Sequence, residues 1–232
     1  PSMGSWLLYG LGTENKELPG FITIDAGIGP DNYGSAFLPA IYQGTAINAG
    51  NIKSPIPNLV NRSTTKEKQR KDLDLLRDFN QMHLKDGAEN SRLEGLIESY
   101  ELAFRMQTSV PSTIDITNEP PAVLNKYGIN DKATAKFGKQ CLLAKKFSEA
   151  GVRFVEIGHG GWDMHQNIND NLKKNTTAID KPIAGLIQDL KDCGLFEDTI
   201  ILFGSEFGRT PGIKEGATGR DHNNGGFSMW MA

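Results

Sequence analysis

The sequence predicts an α/β fold, a mixed and mainly parallel sheet with helices on both faces. Three observations carry this. Thr199-Ile-Ile-Leu-Phe203 is a continuous apolar run, the mark of a strand covered on both sides. The stretch from Phe154 to Ile157 is a second short apolar run bounded by glycine. From Ala133 onward, apolar spacing alternates between helical and extended periods, which implies a right-handed parallel crossover joining strands 152–157 and 199–204.

Taken in order, Pro1 to Gly12 is glycine- and serine-rich with Trp6, Leu7, Leu8 and Tyr9 between, and reads as a short helix or turn on the core. Phe21-Ile-Thr-Ile-Asp25 follows Pro19-Gly20 and has three β-branched residues in five, so it is assigned as a strand. Gly27 to Gly34 is a glycine-rich loop that matches neither nucleotide-binding glycine motif. Ala36 to Tyr42 is a further strand or turn of helix.

Ser63-Thr-Thr-Lys-Glu67 opens a polar helix with Leu73, Leu76 and Phe79 in a narrow stripe to about Leu84. Asn90 to Gln107 is a second helix, with Leu93, Leu96, Ile97, Tyr100, Ala103 and Phe104 on one face. Residues 61–130 are therefore expected to be a helical excursion from a single domain spanning 1–232. Phe137 to Ala150 is a helix with Gly151 as its C-cap. Thr177 to Cys193 is another, ended by Gly194. Cys141 and Cys193 read as two buried free thiols.

The composition is that of an ordinary globular chain, 38% hydrophobic and 23% charged over 232 residues. A net charge of −3 argues against nucleic acid as a partner. No apolar run reaches the roughly 20 residues that span a bilayer. The chain starts at Pro1 and stops inside an apparent strand, Phe227-Ser-Met-Trp-Met-Ala232, so it reads as an interior piece of a longer protein.

Chemistry concentrates after the last two long strands. Three of the four histidines (His159, His165, His222) fall between 151 and 222. Gly158-His-Gly-Gly-Trp-Asp-Met-His165 offers His159, Asp163 and His165 from a glycine turn. Ser205-Glu-Phe-Gly-Arg-Thr-Pro211 offers Glu206 and Arg209. Gly219-Arg-Asp-His-Asn223 offers Arg220, Asp221 and His222. Ligands gather beyond the carboxyl ends of strands in such sheets. Imidazole and carboxylate together suit a divalent ion, and an arginine fork suits the oxygens of an anionic ester. Asp163 and Asp221 read equally as turn or cap residues, and Arg209 with Glu206 as a structural ion pair.

These motifs resemble the alkaline phosphatase superfamily, most closely a bacterial sulfatase-like family of unknown function within it. The likeness is dense over about 135–232, and Pro1-Ser-Met-Gly-Ser-Trp6 also fits. It implies an alkaline-phosphatase-like sheet, here an incomplete part of that fold. It implies a divalent metal cofactor (zinc, calcium, manganese or iron) and a small-molecule or glycan anionic ester as substrate. His165 would be the first-metal histidine with Asp163 or His159 as companion, and His222 the late histidine. Glu206 stands where the aspartate of an Asp-His pair belongs, and Phe207 where its histidine belongs. Arg209 or Arg220 would hold the anion. The superfamily nucleophile has no match in this chain and is placed outside it. The expected function is a metal-dependent hydrolase of sulfate or phosphate esters; the alternative is an inactive relative that binds an anionic ligand such as a sulfated glycan. The resemblance also implies a periplasmic or secreted location.

Overall fold

The computed structural model describes residues 1–25, 29–51, 55–57, 59–85, 91–205, 207–213 and 215–232, without the side chains at 30, 83–85 and 91–94. Glu206, the His83 side chain and part of the loop from Gly27 to Gly34 lie outside the described residues. The chain forms two compact units. One comprises 1–118 with 146–158, and the other 119–145 with 159–232.

In the first unit, helix α1 (Met3–Leu11) starts where the Ser2 side chain accepts the Ser5 amide. It ends at Gly12, whose φ of 65° is one that only glycine adopts without strain. Strand β1 (Phe21–Ile24) is wholly buried. It pairs in parallel with β2 (Thr45–Ile47) on one side and β3 (Phe154–Ile157) on the other, in the order β2-β1-β3. Phe21 and Phe154 are register partners whose rings meet edge-on at 5.0 Å. Helix α1 lies on these strands through Gly4, where a Cβ would come within 2.6–2.7 Å of both rings.

Helices α2 (Lys66–Lys85) and α3 (Ser91–Ile114) are joined by a two-pronged bond from Arg70 to Glu101, both prongs 2.6 Å. Met106, Val110 and Ile114 of α3 are buried, and the helix continues through Pro111. This unit also holds a cleft of about 450 Å³ lined by Leu8, Leu18, Tyr42, Ile97, Glu101 and Arg105 among others. None of the candidate metal ligands lines it.

Helix α4 (Pro121–Lys126) opens the second unit, and α5 (Ala135–Glu149) supplies residues to both. Tyr127 is fully buried and donates its hydroxyl proton to Asp189 of α6 (Ile168–Asp192) at 2.9 Å. Burial first, and that carboxylate second, push its phenol far above the ordinary range. Lys126 reaches Asp189 at 2.7 Å and Asp192 at 2.9 Å. Gly185 of α6 allows this approach, since a Cβ there would sit 2.8 Å from the Lys126 carbonyl oxygen.

Three short pairings complete the unit. Strand β4 (Leu202–Phe203) runs antiparallel to β7 (Trp230–Met231), and β5 (Gly208–Arg209) antiparallel to β6 (His222–Asn223). Among the described residues, no helix is long and apolar enough to cross a membrane.

The mixed α/β class and the parallel sheet agree with the sequence reading. One strand does not. The apolar run at 199–203 was expected beside 152–157 in the same sheet. Instead Leu202 and Phe203 pair with Met231 and Trp230, and Ile201 exchanges both backbone bonds with Ala232 at 2.9 and 3.0 Å. An apolar run signals an extended segment but not its neighbour, and Ile200 is 77% exposed, so this run is not covered on both faces. Two smaller differences follow the same logic. Helix α6 begins at Ile168, nine residues before the expected Thr177, because polar residues fill its first turns. Cys141 is buried as expected, but Cys193 is exposed at the helix end.

Candidate metal centre

Three segments of the second unit converge. The loop 159–167 leads into α6. It is tied down by buried Asn175, whose Nδ2 donates to the Gly161 carbonyl at 2.7 Å, and by Met164, which is itself buried. The segment 218–222 lies along this loop. The Arg220 amide donates to the Met164 carbonyl at 3.0 Å, and the Thr218 hydroxyl donates to Gln166 Oε1 at 2.8 Å. Gly219 passes so close that a Cβ would collide with the Met164 carbonyl oxygen and the His165 carbonyl carbon. The β5–β6 ladder then sets Arg209 opposite His222, with the Thr210 amide bonded to the Asp221 carbonyl at 2.9 Å.

The result is a tight set of donor atoms. Asp163 Oδ1 lies 3.0 Å from His165 Nε2 and 2.9 Å from His222 Nε2, and the two Nε2 atoms are 3.2 Å apart. Donors about 2.0–2.1 Å from a tetrahedral ion sit roughly 3.3 Å from one another. The triangle therefore fits such an ion after opening by a few tenths of an ångström, and one ion would answer all three atoms.

The surroundings orient each member. Asp221 Oδ1 lies 3.1 Å from His165 Nδ1. A carboxylate thus faces each ring nitrogen, Asp221 at Nδ1 and Asp163 at Nε2, and the Asp221 contact turns Nε2 toward the triangle. Arg209 Nη2 donates to Asp163 Oδ1 at 2.7 Å and to the Trp162 carbonyl at 3.1 Å. The Phe207 ring packs at 4.5 Å against that of His222. The Asp163 carboxyl is held down at about 2, first by the His222 hydrogen bond and then by Arg209. It is 67% exposed, so solvent reaches the triangle.

Of the expected ligands, the structure brings together Asp163, His165 and His222, and sets Asp221 behind His165. His159 is not in that set. Its Nδ1 accepts from Trp162 Nε1 at 3.1 Å and its ring meets Phe137 edge-on at 5.1 Å. Burial, then Lys136, lowers its pKa. Glu206 lies outside the described residues. Of the two arginines, Arg209 is committed to protein groups and only 19% exposed. Arg220 keeps a buried Nε with no hydrogen-bond partner among the described residues. Sequence reasoning passed over Gly219 as part of the site; its place between two motif segments was the available signal, but a close backbone approach has no residue pattern of its own.

A family model described as "Protein of unknown function (DUF1501)" matches residues 1–232. None of the curated proteins and none of the solved structures compared with the chain matches it. The family match corrects the likeness to the alkaline phosphatase superfamily, since no alkaline phosphatase or sulfatase family is found and the match covers the whole chain. Short histidine–carboxylate patterns recur wherever a divalent ion is bound, which is why they suggested a superfamily that the full length does not support. The location implied by that likeness loses its basis with it.

Proposed function

The chain belongs to this family of proteins of unknown function, and we propose that it is a divalent-metal-binding protein that hydrolyses anionic esters, phosphate or sulfate. The observation that carries the reading is the Asp163–His165–His222 triangle, three potential ligand atoms 2.9–3.2 Å apart around one point. With Asp221 at its Nδ1, His165 turns Nε2 toward the Asp163 carboxylate, where one bound cation would serve both. Two imidazoles and one carboxylate favour zinc, manganese or iron over calcium, which takes oxygen ligands.

Such an ion supplies a Lewis acid and a bound water acidic enough to act near neutral pH. The chain's own groups do the rest. Asp163, His165 and His222 would hold the ion, and the exposure of Asp163 leaves room for an ester beside it. Arg209 has its fork engaged by protein groups, so Arg220 is the arginine proposed to hold a non-bridging oxygen, through its outer nitrogens because its Nε is buried. The Phe207 ring shields one face of His222 from water.

The test is release of nitrophenol from its phosphate and sulfate esters by the purified chain, with elemental analysis of the same sample. Stoichiometric zinc, manganese or iron is expected, with turnover that a chelator abolishes and His165→Ala removes. Turnover that survives both chelator and His165→Ala would sink the reading.

A further inference from the structure

The two charged residues that touch the triangle from behind are themselves tied to backbone and strand. Arg209 places Nη2 on Asp163 Oδ1 at 2.7 Å and on the Trp162 carbonyl at 3.1 Å, while Nη1 reaches the Arg220 carbonyl at 3.4 Å. Its fork is thus spread over three protein acceptors from two segments. Asp221 places Oδ1 on His165 Nδ1 at 3.1 Å, and its own amide donates to the Thr210 hydroxyl at 3.2 Å.

We infer that Arg209 and Asp221 are positioning residues: Asp221 fixes the His165 ring with Nε2 pointing inward, and Arg209 fixes Asp163 Oδ1, taking no part in anion recognition. The inference rests on Asp163, His165 and His222 being ligands. Each element of it follows from geometry. An imidazole has two nitrogens, and a carboxylate anchored behind one decides which of them faces the triangle. Asp163 is an exposed side chain whose rotamers are open without a partner, and Arg209 pins it from a strand. An arginine whose donors are already engaged gains little by turning to a substrate oxygen.

The arrangement also explains why β5 and β6 pair where they do. Register puts Arg209 opposite His222, so the strand that supplies a ligand is bonded to the strand that orients another. The next residue along, Thr210, anchors Asp221 through both its amide and its hydroxyl. One two-residue ladder thus sets the direction of all three donor atoms.

The experiment uses the full chain and zinc as probe, measured by competition with a chromophoric chelator, then inorganic phosphate at saturating zinc. Asp221→Ala and Arg209→Gln are expected to lose about 10–100-fold in zinc affinity, the usual effect of removing an outer partner. Asp221→Asn keeps an acceptor and should recover most of that loss, as Arg209→Lys should recover part. At saturating zinc, Arg209→Gln should bind phosphate within about threefold of the parent. Thermal unfolding of each variant separates these losses from misfolding.

Two spectra of the metal-free protein decide the matter even if the parent binds no zinc, in which case only the ligand reading fails. Nuclear Overhauser contacts should hold the His165 ring in one orientation beside Asp221 in the parent and show several orientations in Asp221→Ala. The Arg209 guanidinium should show slowed rotation that Asp163→Ala releases. An unchanged His165 ring orientation in Asp221→Ala, a freely rotating Arg209, or phosphate affinity that falls tenfold in Arg209→Gln with zinc affinity intact would each overturn the proposal.

Discussion

Gly219→Ala is the sharpest probe of how the centre is built. The added Cβ would meet the Met164 carbonyl oxygen, the His165 carbonyl carbon and, at 2.6 Å, the Gln166 nitrogen. All three are backbone atoms, so no side chain can swing away. Relaxed contacts begin near 3.5 Å, so one segment must move by about 1 Å or more. The movement separates His165 from His222, whose Nε2 atoms are 3.2 Å apart, and takes them beyond the reach of one ion with bonds near 2.0–2.1 Å. Overpacking of this kind costs about 1–3 kcal/mol. For a chain of this size that lowers the melting temperature by roughly 2–12 °C. Gly212→Ala is the matched control, since its Cβ would meet nothing within 4 Å. Calorimetry and zinc competition on the two variants give the result. If Gly219→Ala melts with the parent and holds zinc as tightly, the close approach of these segments is not what forms the triangle.

Other outcomes follow from single groups. Asp163 stays ionised to about pH 2, so its carboxylate is ready for zinc throughout the neutral range and Asp163→Asn should weaken zinc binding there; unchanged zinc affinity in Asp163→Asn would contradict the ligand set. Glu156 has its pKa raised by burial on β3. The stability tied to its protonated form is present below the usual glutamate range and lost as pH rises through the raised value, so Glu156→Gln should raise the melting temperature at pH 7 and lose that gain at pH 4. Tyr127→Phe removes a buried hydrogen bond to a carboxylate and should cost about 1.5–3 kcal/mol in urea unfolding. Phe147, fully buried at the end of α5, should cost about 3–5 kcal/mol on truncation to alanine, read from the same transition.

The helices and the two central strands were legible because period and punctuation are local. Gly151 and Gly194, with φ of 85° and 75°, end α5 and α6 where the sequence placed their stops. Strand β2 was not legible: Thr45–Ile47 is three residues long and offers too little alternation to register. The partner of 202–203 was not legible either, because pairing is a long-range choice. At the site, residue types foretold that Asp163, His165 and His222 could share an ion. They could not foretell that His159, in the same turn, faces Trp162 and Phe137, since that depends on which way a glycine turn releases the chain. Nor could they separate the arginines. Arg209 and Arg220 look alike in sequence, and only hydrogen bonding distinguishes an engaged guanidinium from one with an unpartnered nitrogen.

The two cysteines, one sealed and one open, supply a reporter that requires no engineering. Burial pushes the Cys141 thiol up, so it stays protonated and unreactive while α5 is packed. Cys193 faces solvent and should react with an alkylating reagent in the first seconds of mixing. The delay between the first and second equivalents of label then times the opening of the α5 core in the native protein. Adding zinc during that delay asks whether a ligand held by the 159–222 segments slows the exposure of a residue on a different helix, and a prolonged interval would show that binding and core opening are coupled.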